Sequence, residues 1–383
     1  MQEEYLLSIG AGKEQVASIL KAKKLGFKVI AVDKYSDAPG MELADLAIHI
    51  DIKKTDEIIE VLEEYSVSGI IPSPIGRYLT TIGRINDYFG LSGISEKAAM
   101  RCVDKLLFNE TLKSVFPMRA DFKLVRDQEE YLEVIKKKSF PIILKPRYGS
   151  GSREVFALFD VNEALECATK VNFANGDYLI EELVVGEEYG VDGVVRNKKF
   201  ELVLVREKEL TEYPYRQALA TNAPAKLNVD MLAKITNHLK KCIEEIELDN
   251  CLLHVDLIID RQGEIHVIEL AGRPAGLFIS SQIVPFVTGV DYLKEGILLC
   301  GDKTNDFRKK WEPRPISFRF INKTFSENEI TELKANNNIV DFSNFQFIPA
   351  RYIKDGHDVM GINYVMSTGI NLGEAIETTK TFL

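Results

Sequence analysis

Nothing in this 383-residue chain marks it as a disulfide scaffold, a zinc protein, a membrane protein or a nucleic-acid binder. Its five cysteines, Cys102, Cys167, Cys242, Cys251 and Cys300, are dispersed and odd in number, and none has a CxxC or Cys/His neighbour spacing of the kind that builds a zinc site or redox pair. They read as reduced, buried thiols. No apolar run approaches the roughly 18 residues of a membrane span. The acidic N-terminal MQEEY also lacks the basic region of a signal peptide, so the cytoplasm is the expected location. A formal net charge of −10 leaves no clustered excess of Lys and Arg to neutralise nucleic-acid phosphate or anionic lipid. Neither partner is expected. Pro/Ser-rich tracts, single-sign charge blocks and internal repeats are missing too, so disorder is not a theme of the chain.

What is present is an ordinary globular composition, 45% hydrophobic and 28% charged, in a chain long enough for two or three domains around a shared cleft. A short apolar strand, Tyr5 to Ile9, is followed by Gly10-Ala11-Gly12, a helical period through Val16, Ile19, Leu20 and Ala22, and a second buried strand from Lys28 to Asp33. Leu46 to Ile50, a helix from Thr55 to Tyr65 and Ser68 to Pro72 continue a parallel α/β alternation. Ser95 to Phe116 reads as one helix carrying Lys105, after which the pattern becomes antiparallel. Phe140 to Lys145 and Glu154 to Phe159 predict a hairpin with a glycine-serine tip. A helix from Asn162 to Val171 and a strand from Asp177 to Glu181 follow. Strand pairs are expected at Tyr189 to Arg196 with Phe200 to Glu207, and at Leu252 to Asp260 with Glu264 to Leu270, separated by a helix from Asp230 to Glu245. After a helix from Asp291 to Leu299, a final unit runs through Ile316 to Asn322, Phe347 to Tyr352 and a helix from Gly373 to Lys380.

Four groups of residues carry chemistry. Gly10 and Gly12, with Asp33 ending the next strand, half satisfy a dinucleotide fingerprint, but Gln15 stands where Gly or Ala belongs. A plain tight turn is the simpler reading. Lys145 ends an apolar strand beside a loop whose Gly149, Ser150, Gly151 and Ser152 can turn backbone N–H groups toward phosphate, although a polar hairpin tip would look the same. In Tyr178-Leu-Ile-Glu-Glu-Leu-Val-Val-Gly-Glu-Glu, Glu181 suits an adenine amino group, the backbone near Val184 the ring edge, and Glu188 the ribose hydroxyls. Solvated strand-end carboxylates are the alternative. Finally, Asp256 and Glu269 lie on strands joined by a short turn, so cross-strand pairing can place the two carboxylates together. Such a pair repels unless a cation lies between. Mg²⁺ favours a few carboxylates plus substrate phosphates, and Arg273 can reach the same space, or simply pair with Glu269.

Read in order and with their spacing, these residues resemble the ATP-grasp superfamily, in its carboxylate-amine and amino-acid ligase branch, over nearly the whole chain. The resemblance implies an α/β and α+β multidomain protein. An N-terminal Rossmann-like parallel α/β domain (1–100) would precede two antiparallel α+β subdomains, a lid with the phosphate loop (101–185) and a metal-binding part (186–300), then a C-terminal α+β extension (301–383). It implies that Lys105, Lys145 and the Gly149 to Ser152 loop hold ATP phosphates, Glu181 and Val184 adenine, and Glu188 ribose. Asp256 and Glu269 would hold Mg²⁺, with Mn²⁺ as the alternative, and Arg273 would act on the transferred phosphoryl group or the acyl-phosphate. The family normally binds no nicotinamide in its N-terminal domain. One departure is Ala271, where the family usually has an asparagine ligand two residues after the second metal-binding glutamate.

The implied reaction starts with in-line attack of a substrate carboxylate on the γ-phosphate, giving an acyl-phosphate and ADP, which an amine then intercepts. Lid closure would keep water away, and Arg273 with backbone donors near Gly276 would steady the tetrahedral oxyanion. Arg216, Arg77 and His254 are the residues expected to line the substrate part, although surface arginines and a core histidine fit the sequence equally. Alternatives are a bicarbonate-activating enzyme of the same superfamily, a nicotinamide-dependent oxidoreductase and a non-catalytic nucleotide-binding regulator. The expected partners are a small carboxylate and an amine, and the family analogy adds a homodimer.

Overall fold

The computed structural model describes residues 3–116, 121–149, 154–213, 216–344 and 363–383. Strand β1 (Glu4–Ile9), helix α1 (Lys13–Lys24) and strand β2 (Lys28–Val32) form the first unit, with Tyr5 opposite Lys28 and Ile9 opposite Val32 in parallel register. With β3 (Leu46–Ile48), α2 (Thr55–Leu62) and β4 (Ser66–Ile70) they complete a four-stranded parallel sheet in the order β3-β2-β1-β4. At Gly10 the backbone adopts a φ of +85°, which L side chains avoid. Next to it, Ala11 N–H donates to Asp33 Oδ2 at 2.9 Å and Tyr35 N–H donates to Asp33 Oδ1 at 3.0 Å. Asp33 therefore braces the turn with both oxygens.

Helix α3 (Leu79–Phe89) leads to a correction: the single helix expected from Ser95 to Phe116 is two, α4 (Glu96–Val103) and α5 (Lys105–Leu112). Asp104 breaks them in an extended conformation (φ −89°, ψ 106°), and its carboxylate accepts from Leu106 N–H and Leu107 N–H. Asp competes with the helix ladder in this way and caps the next helix instead of continuing the last. The same carboxylate receives Arg147 Nε and Nη2 at 2.9 and 2.6 Å and the Tyr148 hydroxyl at 2.7 Å.

Arg147 belongs to the next layer. Strands β5 (Lys123–Val125), β6 (Ile142–Pro146), β7 (Phe156–Leu158) and β8 (Tyr178–Glu182), with helices α6 (Gln128–Ile135) and α7 (Val161–Cys167), build an antiparallel sheet in the order β5-β8-β6-β7. The expected hairpin is there, Ile142 opposite Leu158 and Leu144 opposite Phe156. Ser150, Gly151 and Ser152 of its tip lie outside the described residues.

Strands β9 (Gly186–Arg196) and β10 (Lys199–Leu210) turn through Asn197 and Lys198, both at positive φ, the geometry that matches strand twist in a two-residue hairpin. Then come β11 (Ala218–Ala223), α8 (Val229–Ile246), β12 (Cys251–Asp260), β13 (Ile265–Ala271), a π-helical turn at Ile279–Ile283, α9 (Val284–Thr288) and α10 (Tyr292–Cys300). Strand β14 (Ile316–Ile321), helix α11 (Glu327–Ala335), β15 (Ile339–Phe342), β16 (Asn363–Thr368) and α12 (Leu372–Lys380) end the chain. Their strands continue the central sheet, whose order is β13-β12-β9-β10-β11-β14-β16-β15. The strand expected from Phe347 to Tyr352 lies outside the described residues.

Leu7, Ile30 and Ile85 of the N-terminal unit share one core with Val191, Leu253 and Val255 of the central sheet. The β5–β8 layer has its own, around Tyr131, Ile142, Leu144 and Ile180. The two bodies meet at the buried Asp104, where cap and ion pair coincide. Asp104→Ala removes both, and is expected to lower unfolding stability by about 2 kcal/mol. Urea denaturation checks this, and a change within error would show that the junction bears no load.

Candidate active site

Alternate residues of a strand share a face, and on the central sheet this rule collects charge. Glu188, Gly190 and Asp192 of β9, Arg206 and Lys208 of β10, and His254 and Asp256 of β12 stand at alternate positions of adjacent strands. In register, Asp256 is opposite both Glu269 and Gly190, Arg206 is opposite Gly190, and His254 is opposite Asp192. This face and the β5–β8 layer enclose a cavity of about 440 Å³. Lys105, Lys145, Gly149, Glu181 and Val184 line it from one side, and Glu188, Arg216, His254, Asp256, Glu269, Arg273 and Gly276 from the other.

Asp256 and Glu269 are cross-strand partners, as their spacing requires. Lys208 Nζ lies 2.5 Å from Asp256 Oδ2, while Asp256 Oδ1 is buried without a hydrogen-bond partner. Burial alone would raise the Asp256 pKa, but Lys208, His254 and Arg206 reverse this and hold the carboxyl below the ordinary aspartate range. Glu269 Oε1 accepts from Arg273 Nη2 at 3.3 Å. Among the described residues no cluster of three or more His, Cys, Asp or Glu side chains could hold a metal by itself. Two carboxylates and an unpaired, deprotonated oxygen do fit Mg²⁺, which draws its remaining ligands from substrate phosphate and water. Ala271, in place of the asparagine the resemblance implies, lines a smaller adjoining cavity with Arg77, Lys105 and Glu269.

On the opposite wall, Lys145 Nζ donates to Glu181 Oε2 at 2.8 Å and Asn109 Nδ2 donates to Glu181 Oε1 at 2.6 Å. The Glu181 carboxylate, expected from the sequence to meet adenine, pairs with the Lys145 ammonium through one oxygen and with Asn109 through the other. Lys105 Nζ donates to Gly149 O at 3.0 Å, tying α5 to the start of the glycine-serine tip. Burial depresses the Lys105 pKa.

Glu188 and Arg216, assigned to ribose and substrate respectively, are paired with each other at 3.1 Å, and Arg216 stacks over Tyr213 at 4.8 Å from the ring centroid. Burial raises the Glu188 pKa despite Lys208 and Arg216 nearby. Arg77 is exposed, stacks over Tyr78 at 5.3 Å and reaches only the smaller cavity. Gly276 lies opposite Glu14 and Pro74 of the N-terminal unit.

Sequence reasoning did not single out Asn109, Asp192, Arg206 or Lys208. A partial signal was there: Asp192 is a lone charge within an apolar stretch of β9, and Arg206 and Lys208 stand two apart on β10, although Glu207 and Glu209 put charge on the opposite face as well. No comparable signal marks Asn109, whose partner is 72 residues away.

His254 sits 3.5 Å from Asp256 Oδ1 through Nε2 and 3.5 Å from Arg206 Nη2 through Nδ1. Burial pushes its pKa from 6.5 down to about 3, so the ring is neutral at neutral pH. Between those two values the unfolded chain binds a proton that the folded chain does not, and folding stability rises with pH across that window. His254→Gln is expected to lose less stability than the wild type between about pH 6.5 and 5. Urea midpoints at the two pH values measure this, and equal losses would remove the assignment.

Comparison with known proteins adds the family context. Residues 138–281 match the family model of the ATP-grasp domain. The formate-dependent phosphoribosylglycinamide formyltransferase of Methanocella arvoryzae is 22% identical over 182 residues, which cover 47% of this chain and 43% of that protein. The enzyme of the same name from Prochlorococcus marinus is 28% identical over 188 residues, covering 48% and 47%. The matched segment thus spans less than half the length of either relative. Among solved structures, an L-amino acid ligase from Bacillus licheniformis superposes with a TM-score of 0.81 at 17% identity, over 100% of this chain and 97% of that one. A phosphoribosylglycinamide synthetase from Anaerococcus prevotii gives 0.74 at 21% identity, over 99% and 97%. Residues 138–281 thus match an ATP-grasp domain, and the whole chain shares the fold of these two solved structures.

Proposed function

We propose that the chain is an ATP-dependent carboxylate-amine ligase: it activates a small carboxylic acid as an acyl-phosphate and joins it to an amine, releasing ADP and phosphate. The observation that carries this reading is the placement, across one cavity, of a lysine held by its own carboxylate and a cross-strand pair of carboxylates with an unpaired oxygen. The names of the relatives point the same way, since formate and an amino acid are both carboxylic acids.

In this reading Lys105 and Lys145 neutralise the β- and γ-phosphates. The chain leaves β8 after Glu182 along the cavity wall at Leu183 and Val184, where backbone groups meet the adenine edge, and Glu188 with Arg216 brackets the ribose. Asp256 and Glu269 would hold Mg²⁺, which supplies charge neutralisation on the phosphate oxygens when bound. Arg273 supports the transferring group, and Gly276 N–H the oxyanion. The working units are residues 1–100, 101–185, 186–300 and 301–383, in a cytoplasmic homodimer by family analogy. Among the described residues no helix is long and apolar enough to cross a membrane. The nicotinamide reading loses its acidic residue, because both Asp33 oxygens accept backbone N–H groups.

Magnesium-dependent ADP release is the direct assay, with amino acids and small carboxylates pooled with amines, and bicarbonate in a separate arm. Release is expected to need an acid and an amine, and to fall about 100-fold or more in Lys145→Ala and in Glu269→Ala. Release driven by bicarbonate alone would reassign the chain to the carboxylating branch. ATP binding without release in any mixture would leave a regulator. Asn109→Ala leaves the Glu181 carboxylate half-held, and is expected to weaken ATP about fivefold with a smaller change in kcat. An unchanged ATP affinity would separate Asn109 from the site.

A further inference from the structure

We propose that Arg206 is the residue that anchors the carboxylate of the acid substrate, an inference that rests on the ligase reading above. Arg206 is fully buried, as is its partner Asp192. Its Nε donates to Asp192 Oδ2 at 2.6 Å, and its Nη2 lies 3.5 Å from both Asp192 Oδ1 and His254 Nδ1. Its Nη1 has no hydrogen-bond partner among the described residues. A buried N–H of a charged group left unpaired costs free energy, and a buried ion pair is in itself a poor source of stability. Both features are accounted for if the missing partner is a ligand, since Arg206 lines the cavity.

The other cations on these walls have other engagements. Lys145 donates to Glu181, Lys105 to Gly149 O, Arg216 to Glu188, Arg273 to Pro274 O and Glu269, and Lys208 pairs with Asp256. Among the described residues, Arg206 Nη1 is the one buried cationic atom of the cavity wall without a partner.

Two further features fit an acid anchored there. The guanidinium lies flat on Gly190, where a Cβ would come within 2.5 Å of Cζ, Nη1 and Nη2. Glycine at this cross-strand position is what lets Arg206 reach across toward β12, one imidazole away from Asp256. A carboxylate on Nη1 is therefore held next to the carboxylate pair that would position the nucleotide's phosphates. Apolar side chains also border this corner. Leu204, two residues along the same face, packs in one cluster with Ala275 and Ile279, and Leu277 packs against it. Leu277 and Phe278 both hold positive φ, at 52° and 63°, a conformation that non-glycine residues keep only where surroundings impose it. His254, whose Nδ1 lies 3.5 Å from Arg206 Nη2, completes the wall. The ligand class that follows is a small carboxylic acid with a short apolar stem.

The test is binding of acetate, butyrate and L-alanine, each beside its amide, to the full chain with saturating MgADP, followed by saturation-transfer NMR. MgADP affinity is titrated in parallel. At least one of the three acids is expected to bind in preference to its amide. Arg206→Met is expected to weaken it about tenfold or more while MgADP affinity changes less than about twofold. Arg206→Lys keeps a cation beside Asp192, and with it the fold, but removes Nη1. It is expected to lose the acid to a similar extent. Acid affinity unchanged in Arg206→Lys with MgADP still bound, or no preference for acid over amide in the wild type, overturns the proposal and leaves Arg206 a structural ion pair. Loss of MgADP binding by the wild type would remove the ligase reading as well.

Discussion

The cross-strand placement of Asp256 against Glu269 is the constraint around which the rest of the cavity is arranged. Two carboxylates on neighbouring strands, out of bulk water, repel each other and lose hydration. The sheet answers with cations at adjoining positions: Lys208 two strands from Asp256, and Arg273 four residues along the chain from Glu269. A third cation needs room, and the room comes from Gly190, where β9 presents no side chain to this face. Arg206 fills it and brings Asp192 with it. Charge of both signs thus spreads across β13, β12, β9 and β10 as a lattice in which each member fixes its neighbour. Rigid, oppositely charged neighbours of this kind are what a phosphoryl-transfer site requires, because such catalysis depends on positioning and on charges that need not reorganise.

Much of this was legible in the amino-acid order because it rests on short-range rules. Alternation and a three-residue turn put Asp256 beside Glu269, and apolar β6 ending in Lys145 put an ammonium at a loop. The parallel N-terminal sheet follows from strand-helix alternation. The family resemblance then linked these pieces into the fold that the comparisons also find. What stayed hidden depends on partners distant in sequence. Glu181 looks like any strand-end carboxylate until β6 and α5 are in place, and only then do Lys145 and Asn109 occupy it. Glu188 and Arg216 are 28 residues apart and were assigned separate tasks, although they meet. The helix break at Asp104 is a local cap that a continuous helical period hides, and the Arg147 that also holds the carboxylate lies 43 residues on. Strand β11 has little signal in the sequence because Ala218–Ala223 has Thr221 alone among the β-branched and aromatic residues that mark strands, and is recruited by β10 and β14 on either side.

The two walls of the cavity belong to different cores. Lys145 and Glu181 stand on the sheet that packs around Tyr131 and Ile180, whereas Glu269 and Asp256 stand on the sheet that shares its core with the N-terminal unit. Asn109, Lys105 and Asp104 of α5 and its cap reach across from the second body to the first. Contacts between the bodies here are polar, and polar contacts are more readily exchanged than interdigitated side chains.

In the proposed reaction, a division of this kind would make the nucleotide a structural part of the catalyst as well as its fuel. Neither body carries the whole charged lining of the cavity: one has the Lys145 ammonium, the other Lys105 and the carboxylates. A molecule spanning both would join two separately folded pieces through its own charges. The geometry of the reacting centre is then a property of the assembled trio, and the chain alone has only the halves of it.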